Sequence, residues 1–229
     1  MFNNSKIICV IPARKGSTRL RNKNIKKFCG KPLVYWSIII SKLSKYVDKT
    51  YVTSDDPKIL KLAQELECET VNRNAKLSNN TIMSDFAVLD VLKKFGKLYD
   101  IVIYLQPTSP LRKLDDIDLA LEEFSKSKSD SLLSVVKNKK FIWHKKNKSN
   151  FYDPVNYDIK KRPMSQNFFQ YEENGSIYIT KVKQFINSKN RLVGKISIFQ
   201  MSDWQSYDID NLDDFKKCEE VFNEKIKGY

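Results

Sequence analysis

Acidic side chains are missing from the first part of this sequence: residues 1–47 contain eleven Lys or Arg and no Asp or Glu. The whole chain of 229 residues has a formal charge of +14, but residues 48–229 hold 30 basic against 27 acidic side chains. Because the excess of positive charge is confined to this part of the chain, it predicts one anionic ligand bound near the N-terminal part. It does not indicate a nucleic-acid partner. A lysine-rich composition in general explains the excess about equally well.

Histidine is nearly absent. The single His144 excludes metal sites built from several histidines and weakens any Ser-His-Asp mechanism, so we interpret it as a surface or interface residue. The cysteines form no CxxC pair, which is typical of a reducing compartment. No apolar run approaches the roughly 20 residues of a membrane-spanning helix, and no signal-peptide pattern opens the chain. We therefore expect a soluble, cytoplasmic protein without a membrane partner.

Short apolar runs alternate with helical patterns along the chain. The spacing predicts strands over residues 7–11, 50–53, 69–71, 101–105, 177–180 and 197–201 and helices over 33–43, 57–66, 84–95 and 212–222. This alternation is typical of an α/β three-layer sandwich with a mostly parallel, Rossmann-like sheet. The length favours a single domain over residues 1–229.

The alternation breaks down between residues 137 and 173, which are rich in Lys, Asn and aromatic side chains. Exposed aromatics commonly mark a partner surface. We predict that this segment, called the excursion below, is an insertion through which two copies of the chain form a homodimer.

Ligands of such sheets bind beyond the carboxyl ends of the strands, so residues 12–31, 54–57 and 106–112 should line one site. The basic loop, residues 14–24, combines a glycine with several cations and can hold a triphosphate. It matches neither standard phosphate-loop pattern. A solvated surface loop remains the alternative.

Residues 106–112 form the second candidate. Two prolines make this turn rigid, so that it can aim Gln106 and Arg112 at a ligand. The alternative is a plain strand-to-helix connection in which Thr108 or Ser109 caps a helix.

Asp208 and Asp210 form the third candidate. Residues two apart in an extended stretch project on the same side, so both carboxylates can bind one Mg²⁺ together with substrate phosphates. Capping of the last helix by Asp210 is equally compatible with the sequence.

At these positions the chain resembles the acylneuraminate cytidylyltransferases, which are the CMP-sialic acid synthetases and their relatives for legionaminic, pseudaminic and 3-deoxy-octulosonic acids. The resemblance covers nearly the whole chain and rests on ordered motifs: IPARKGS over residues 11–17, Lys23-Asn24, QPTSPLR over 106–112, NGSIY over 174–178 and DID over 208–210. Arg73 and Ser84 also match the family pattern.

The resemblance implies transfer of CMP from CTP to a nine-carbon 3-deoxy-2-ulosonic acid, with Mg²⁺ as cofactor. The implied CTP-binding residues are Arg14, Ser17, Lys23, Asn24, Arg73 and Ser84. The implied sugar-binding residues are Gln106, Thr108, Ser109, Arg112, Asn174, Gly175 and, from the partner's excursion, Arg162. Catalysis is implied for Arg14, Lys23, Asp208 and Asp210, the last two as metal ligands.

The chain departs from the family in the basic loop. Many sialic acid members read GGSKG where this sequence has KGSTR, so that Thr18 and Arg19 replace a lysine and a glycine. The run STRL over residues 17–20 is similar to the octulosonic acid branch, which keeps a CMP-octulosonic acid synthetase open. There are two rival hypotheses. A sugar-1-phosphate nucleotidylyltransferase does not share QPTSPLR or DID. A basic nucleic-acid-binding module is disfavoured because the chain has no recognised binding motif and is near neutral after residue 47.

Overall fold

The structure is a computed structural model that describes residues 2–16, 19–74, 83–147 and 150–226. The strands are β1 (Ile7–Pro12), β2 (Lys27–Phe28), β3 (Lys31–Pro32), β4 (Lys49–Ser54), β5 (Glu69–Asn72), β6 (Ile101–Leu105), β7 (Ser131–Asn138), β8 (Trp143–Lys145), β9 (Tyr152–Pro154), β10 (Gln170–Lys181) and β11 (Ile196–Gln200). The α-helices are α1 (Leu33–Leu43), α2 (Pro57–Glu65), α3 (Asp85–Phe95), α4 (Asp116–Ser127), α5 (Val182–Ser188) and α6 (Leu212–Lys225).

A central sheet of seven strands has the order β11-β7-β10-β6-β1-β4-β5. β6, β1, β4 and β5 are mutually parallel, and β11 is parallel to β7. β10 alone runs against both of its neighbours, β6 and β7. The predicted mostly parallel α/β sheet is therefore confirmed, with one antiparallel strand inserted in it.

Helices cover both faces of the sheet, because successive side chains of a strand point to opposite faces. In β1, Ile7, Cys9 and Ile11 pack with α1, α2 and α4, whereas Ile8 and Val10 pack with α3 and α5. All five side chains are fully buried. The fold thus has the three layers that the sequence predicts.

α6 builds a third apolar cluster beside the carboxyl edge of the sheet. The ring of Phe28 meets those of Phe215 and Phe222 edge-on at 5.4 Å between centroids. The cluster also buries Leu111 and Ile209, one from each of two loops at that edge. Burying such side chains contributes about 1.5 to 3 kcal/mol each, so α6 fixes both loops.

The excursion begins and ends in regular structure. β7 and β10 pair as far out as Asn138 and Gln170, and β8 and β9 form a separate hairpin between them. Phe151, Tyr152 and Phe169 are each about half exposed or more. Among the residues that the structure describes, no helix combines the length and the hydropathy that crossing a membrane requires.

Candidate active site

The loops that follow β1 and β4 are joined at the carboxyl edge of the sheet. The N–H of Ala13 donates to the carbonyl of Thr53 at 3.0 Å, and the N–H of Lys15 donates to Asp55 Oδ1 at 2.8 Å. Because β1 and β4 are parallel, both loops leave the same edge. The start of the basic loop therefore lies where a doubly wound sheet binds its ligands.

The basic loop closes on itself through a short 3-10 helix, Lys23–Ile25. Asn24 is buried, and its Nδ2 donates to the carbonyl of Arg14 at 2.9 Å. Its Oδ1 is buried without a hydrogen-bond partner among the described residues, whereas buried polar atoms normally have one. The predicted CTP contact Ser17 and its neighbour Thr18 lie outside the described residues.

Lys23 connects the basic loop to the paired aspartates. Its Nζ donates to the carbonyl of Ile209 and lies 3.6 Å from Asp210 Oδ1. Burial lowers the pKa of the Lys23 ammonium, and the charges of Asp208 and Asp210 oppose that shift. Both carboxylates therefore act on one buried cation, while Ile209 between them points into the core.

The proline-rich turn after β6 is bonded to the same aspartate segment. Ser109 Oγ donates to Asp208 Oδ1 at 3.0 Å, and the N–H of Ile209 donates to the carbonyl of Thr108 at 2.9 Å. The next helix, α4, has Asp115 at its N-cap. Thr108 and Ser109 therefore join two parts of the site, and the capping alternative for them is wrong.

The capping alternative for Asp210 is also wrong. The N-cap of α6 is Asn211, whose side chain accepts from the N–H groups of Asp213 and Asp214. Asp214 completes the capping box by accepting from the N–H of Asn211. The carboxylate of Asp210 instead contacts Arg19 and Lys23 of the basic loop.

Arg112 does not face a ligand, which corrects the prediction that it contacts the sugar. It is 1% exposed. Its guanidinium donates to the carbonyls of Ser176 and Gln106, both at 2.7 Å, and to Ser37 Oγ at 3.0 Å. A buried guanidinium needs such partners, and here they clamp the turn to β10 and α1.

Asn174 is likewise internal, so its predicted contact with the sugar acid needs the same correction. It is 4% exposed, and its Oδ1 accepts from Ser134 Oγ at 2.6 Å and from the N–H of Ser176 at 3.3 Å. Its Nδ2 donates to the carbonyl of Gln205 at 3.1 Å. The amide thereby holds a bend of β10 against the loop before α6.

That bend presents Gly175 to the site. Gly175 has φ +69°, and a Cβ there would lie 3.2 Å from both Gln106 Oε1 and Ser109 Oγ. Any side chain would crowd these two atoms in a backbone conformation that favours glycine. The backbone of β10 therefore lies directly against the side chains of the turn.

A comparison with protein families decides what kind of protein has this arrangement. The cytidylyltransferase family model matches residues 8–227, which is nearly the whole chain. The chain belongs to the cytidylyltransferase family. It is therefore an enzyme of the type that the sequence motifs predict.

Curated relatives agree with this assignment, and a solved structure agrees with the fold. The cytidylyltransferase is 30% identical to post-translational flagellin modification protein B of Campylobacter coli, over 96% of this chain and 97% of the relative. It is 33% identical to the CMP-N,N'-diacetyllegionaminic acid synthase of Legionella pneumophila, over 81% and 82% of the two chains. The fold matches a CMP:2-keto-3-deoxy-manno-octonic acid synthetase solved with CTP at TM-score 0.74 and 17% identity, over 97% and 100% of the chains.

In this cytidylyltransferase Arg73 lies against the loop after β4. It is buried, and one of its terminal nitrogens donates to the carbonyl of Thr53 at 3.0 Å. Burial lowers the pKa of Arg73, and the charge of Asp55 opposes that shift. Its Nε is buried without a hydrogen-bond partner among the described residues, which leaves a donor for a ligand.

Ser84 precedes α3 and is bonded to two residues. Its Oγ lies 2.5 Å from Tyr104 Oη and accepts from Arg191 at 3.2 Å. The sequence analysis missed Arg191, which pairs through two nitrogens with Asp85. In the sequence Arg191 is a single arginine in a polar stretch, and no neighbouring residue distinguishes it from an ordinary surface arginine.

Arg162 lies within the excursion, apart from the contacts described above. Its guanidinium is 4.6 Å from the ring centroid of Phe141 and 5.8 Å from that of Tyr157, which are cation–π contacts. The predicted surface residue His144 is exposed in β8. Neither residue has a described contact with the turn, the basic loop or the aspartates.

The donors available for a metal are carboxylate oxygens. Across the described residues, no three His, Cys, Asp or Glu side chains come close enough to hold an ion by themselves. The pair Asp208 and Asp210 suits Mg²⁺, which commonly takes one or two carboxylates and completes its shell with substrate phosphates. Arg19 donates to Asp210 Oδ2 at 2.8 Å, so an incoming cation competes with a guanidinium.

Proposed function

We propose that this cytidylyltransferase transfers CMP from CTP to the anomeric C2 hydroxyl of a 3-deoxy-2-ulosonic acid and releases pyrophosphate. The observation that carries the proposal is the junction at the carboxyl edge of the sheet. There the turn with Ser109 and the basic loop with Lys23 both meet the segment 208–210. Cations, carboxylates and a rigid polar wall thus lie together in one place, which supports a site for a triphosphate, a metal ion and an acceptor.

The basic side of this junction supports a CTP site. Arg14 and Lys23 supply positive charge for the triphosphate, and Arg73 and Ser84 lie on the side proposed for the cytidine. Asn24 Oδ1 and Arg73 Nε have no hydrogen-bond partner within the described part of the chain, so they offer an acceptor and a donor for nucleotide groups. Bound Mg²⁺ would supply charge neutralisation at the phosphate oxygens.

The opposite wall supports the acceptor site. Gln106, Ser109 and the backbone at Gly175 face one another there. In the reaction the C2 oxygen of the sugar acid attacks the α-phosphorus, the bond to the β-phosphate oxygen breaks, and the hydroxyl proton leaves to solvent. The protein contributes in-line alignment and charge stabilisation, without a covalent nucleophile.

The acceptor class is supported by the names of the relatives. Besides the legionaminic acid enzyme, relatives include a pseudaminic acid cytidylyltransferase of Campylobacter jejuni, 27% identical over 92% of this chain. These acids share a carboxylate at C1 and an anomeric hydroxyl at C2. We propose that the product serves surface glycan synthesis and that the enzyme works in the cytoplasm.

The deciding experiment is pyrophosphate release with Mg²⁺ and CTP across sialic, legionaminic, pseudaminic and 3-deoxy-octulosonic acids. UTP, dTTP and GTP serve as controls, and sugar 1-phosphates test the rival nucleotidylyltransferase. We expect release with CTP and one nine-carbon acid. Release with octulosonic acid alone would select the alternative branch, and release with a sugar 1-phosphate would reject the proposal.

We propose that Asp208 and Asp210 hold the Mg²⁺. The variant Asp210→Ala should lose turnover but keep its fold, because the capping of α6 relies on Asn211 and Asp214. Asp213→Ala removes an exposed carboxylate nearby and is the matched control. Near-normal turnover of Asp210→Ala at limiting Mg²⁺ would reject the metal role.

We also propose a homodimer formed through the excursion, with Arg162 reaching the partner's site. Several large apolar side chains are exposed there, including Phe151 and Tyr152. Monomeric soluble proteins rarely expose large apolar patches. Sedimentation equilibrium at micromolar concentration should give twice the chain mass of 26.8 kDa, and a monomer alone would contradict the proposal.

A further inference from the structure

Asp55 is a half-buried carboxylate at the carboxyl edge of the sheet that the proposed reaction does not use. It directly follows β4, the strand between β1 and β5. Its Oδ1 accepts from the N–H of Lys15 at 2.8 Å. Among the residues that the structure describes, its Oδ2 has no hydrogen-bond partner. One carboxylate oxygen is therefore available for a ligand at the edge where such sheets bind them.

The register of the sheet places Asp55 between two cationic segments. β1 and β4 pair as far as residues 12 and 53, and β4 and β5 pair as far as residues 54 and 72. Asp55 therefore leaves the sheet between the loop that contains Arg14 and the segment that begins with Arg73. The second neighbour is fixed directly, because the N–H of Arg73 donates to the carbonyl of Ser54 at 2.9 Å.

These neighbours indicate which part of a nucleotide lies level with Asp55. The basic loop is the side proposed for the triphosphate, and Arg73 lies on the side proposed for the base. In CTP the ribose joins the two. A carboxylate repels phosphate oxygens but accepts hydrogen bonds from hydroxyl groups. In dinucleotide-binding sheets an acidic side chain downstream of the phosphate loop binds the ribose in this way.

Buried polar atoms on either side of Asp55 also point to a ligand. Arg73 is 6% exposed and Asn24 is 8% exposed. Within the described part of the chain, neither Arg73 Nε nor Asn24 Oδ1 has a hydrogen-bond partner. Asn24 belongs to the first of the two segments, since its Nδ2 donates to the carbonyl of Arg14 at 2.9 Å. Buried polar groups are normally hydrogen-bonded, so a bound polar ligand explains both atoms.

We propose that Asp55 determines the sugar specificity of the nucleotide site, because its carboxylate accepts a hydrogen bond from a ribose hydroxyl and so selects CTP over deoxy analogues. This inference rests on the proposed function, since it assumes that a cytidine nucleotide binds at this edge. The Lys15 N–H holds Oδ1, which leaves Oδ2 for the ribose. A deoxy analogue would leave that charged oxygen without its donor, and such a loss weakens binding.

The first test is titration calorimetry of the wild type with CTP, 2′-deoxyCTP and 3′-deoxyCTP in the presence of Mg²⁺. No sugar acid is needed. At least one of the deoxy nucleotides should bind about 10- to 100-fold more weakly than CTP, because a hydrogen bond to a charged group is lost. Equal affinity for all three nucleotides would overturn the inference.

Substitutions of Asp55 separate sugar selection from support of the basic loop. Asp55→Asn keeps an oxygen for the Lys15 N–H but turns a neutral amide towards the ribose, so the preference for CTP should fall about three- to tenfold. In Asp55→Ala the preference should fall to less than about twofold. A variant that weakens CTP and its deoxy analogues by the same factor would show that Asp55 only supports the loop, and would overturn the inference.

Asp90→Asn is the matched control, because it removes a carboxylate of α3 that pairs with Lys94 at 2.8 Å. It should keep the wild-type preference. Thermal unfolding shows which variants are folded; if neither Asp55 variant is, the comparison of nucleotides on the wild type decides alone. A wild type that binds CTP but uses no sugar acid would refute the proposed acceptor and leave this test standing. A wild type that binds no cytidine nucleotide would refute both.

Discussion

The two walls proposed for the candidate site are built in different ways. We call the turn 106–112 with the backbone at Gly175 the acceptor wall, and the basic loop, residues 14–24, the nucleotide wall. On the acceptor wall, Arg112 and Asn174 are buried, and their hydrogen bonds run to neutral backbone groups and serine hydroxyls. On the nucleotide wall, the basic loop carries half-buried or exposed cations such as Arg14 and Arg19, and charge pairs dominate. The acceptor wall depends on the fold, whereas the nucleotide wall depends on its ligands.

With the roles proposed above, this difference would allow one site to select its acceptor and still release its product. A wall of buried hydrogen bonds is expensive to rearrange and so keeps its shape when the acceptor changes. A wall of solvated cations adjusts to the triphosphate, and its mutual repulsion decreases when phosphates bind. Substitutions on the two walls should therefore act on different properties.

The largest expected effect is on stability, at the acceptor wall. Arg112→Met should lower the free energy of unfolding by about 3 kcal/mol or more, because it leaves the carbonyls of Ser176 and Gln106 buried without a donor. Urea denaturation measures this change. Arg21→Met, at an exposed arginine of the nucleotide wall, should alter stability by less than about 0.5 kcal/mol. Equal losses in both variants would remove the contrast between the walls.

The next effect is on activity, at the nucleotide wall. Arg14→Ala should reduce kcat/KM for CTP by about 2 to 4 kcal/mol of transition-state stabilisation while its denaturation curve stays near that of the wild type. Lys15→Ala, at the exposed neighbour, is the control. An unchanged kcat/KM for CTP in Arg14→Ala would show that the loop does not contact the phosphates.

Lys23 lies where the two walls meet, so the loss of its charge at high pH should affect both activity and stability. Burial lowers its pKa from 10.5. As the pH rises through the folded-state pKa, the cation is lost and activity should fall by about tenfold per pH unit. The free energy of unfolding should change in the opposite sense. Between the folded-state pKa and 10.5 it should increase with pH, because in that range the unfolded state keeps a proton that the folded state has lost.

A pH–rate profile together with denaturation curves tests this prediction. Lys23→Arg keeps its charge throughout the range, so its rate should not show the alkaline decline. A wild-type profile that stays flat up to pH 10.5 would contradict the role of Lys23 as a required cation.

The smallest effect concerns Arg19 and its exposed pair with Asp210. Such pairs contribute about 0.2 to 1 kcal/mol, so Arg19→Ala should strengthen apparent Mg²⁺ binding up to about fivefold. Magnesium titration of the initial rate at saturating CTP measures it. Weaker Mg²⁺ binding in this variant would mean that Arg19 assists the metal instead of competing with it.

The sequence predicted the core of the fold well because buried strands and amphipathic helices have strong periodicity. The predicted spans 33–43 and 101–105 coincide with α1 and β6. The prediction omitted α4, although Ile117, Leu121 and Phe124 have helical spacing, and it also omitted β7 and α5. A run of five apolar residues is enough to predict a strand that is buried on both faces. α5 has only seven residues, so its helical pattern repeats too few times to be recognised.

The site was predictable by segment but not by the direction in which each side chain points. The motifs placed Ser109, Lys23 and Asp210 in segments that meet in space. Arg112 and Asn174 belong to the same motifs but point into the core, since motif spacing does not distinguish a ligand contact from a support for the turn. Arg191 belongs to no motif, and its contacts are with Ser84 and Asp85, about 100 residues away in the chain.

β10 has one end in the excursion and the other in the middle of the sheet. Its pairing with β7 changes register between Glu173 and Tyr178, the stretch that contains Gly175. β10 therefore connects the excursion directly to the acceptor wall. Were a partner to bind the outer end and shift Gly175 against Gln106, it would change acceptor affinity, and by reciprocity a bound acceptor would change the affinity for that partner by the same factor.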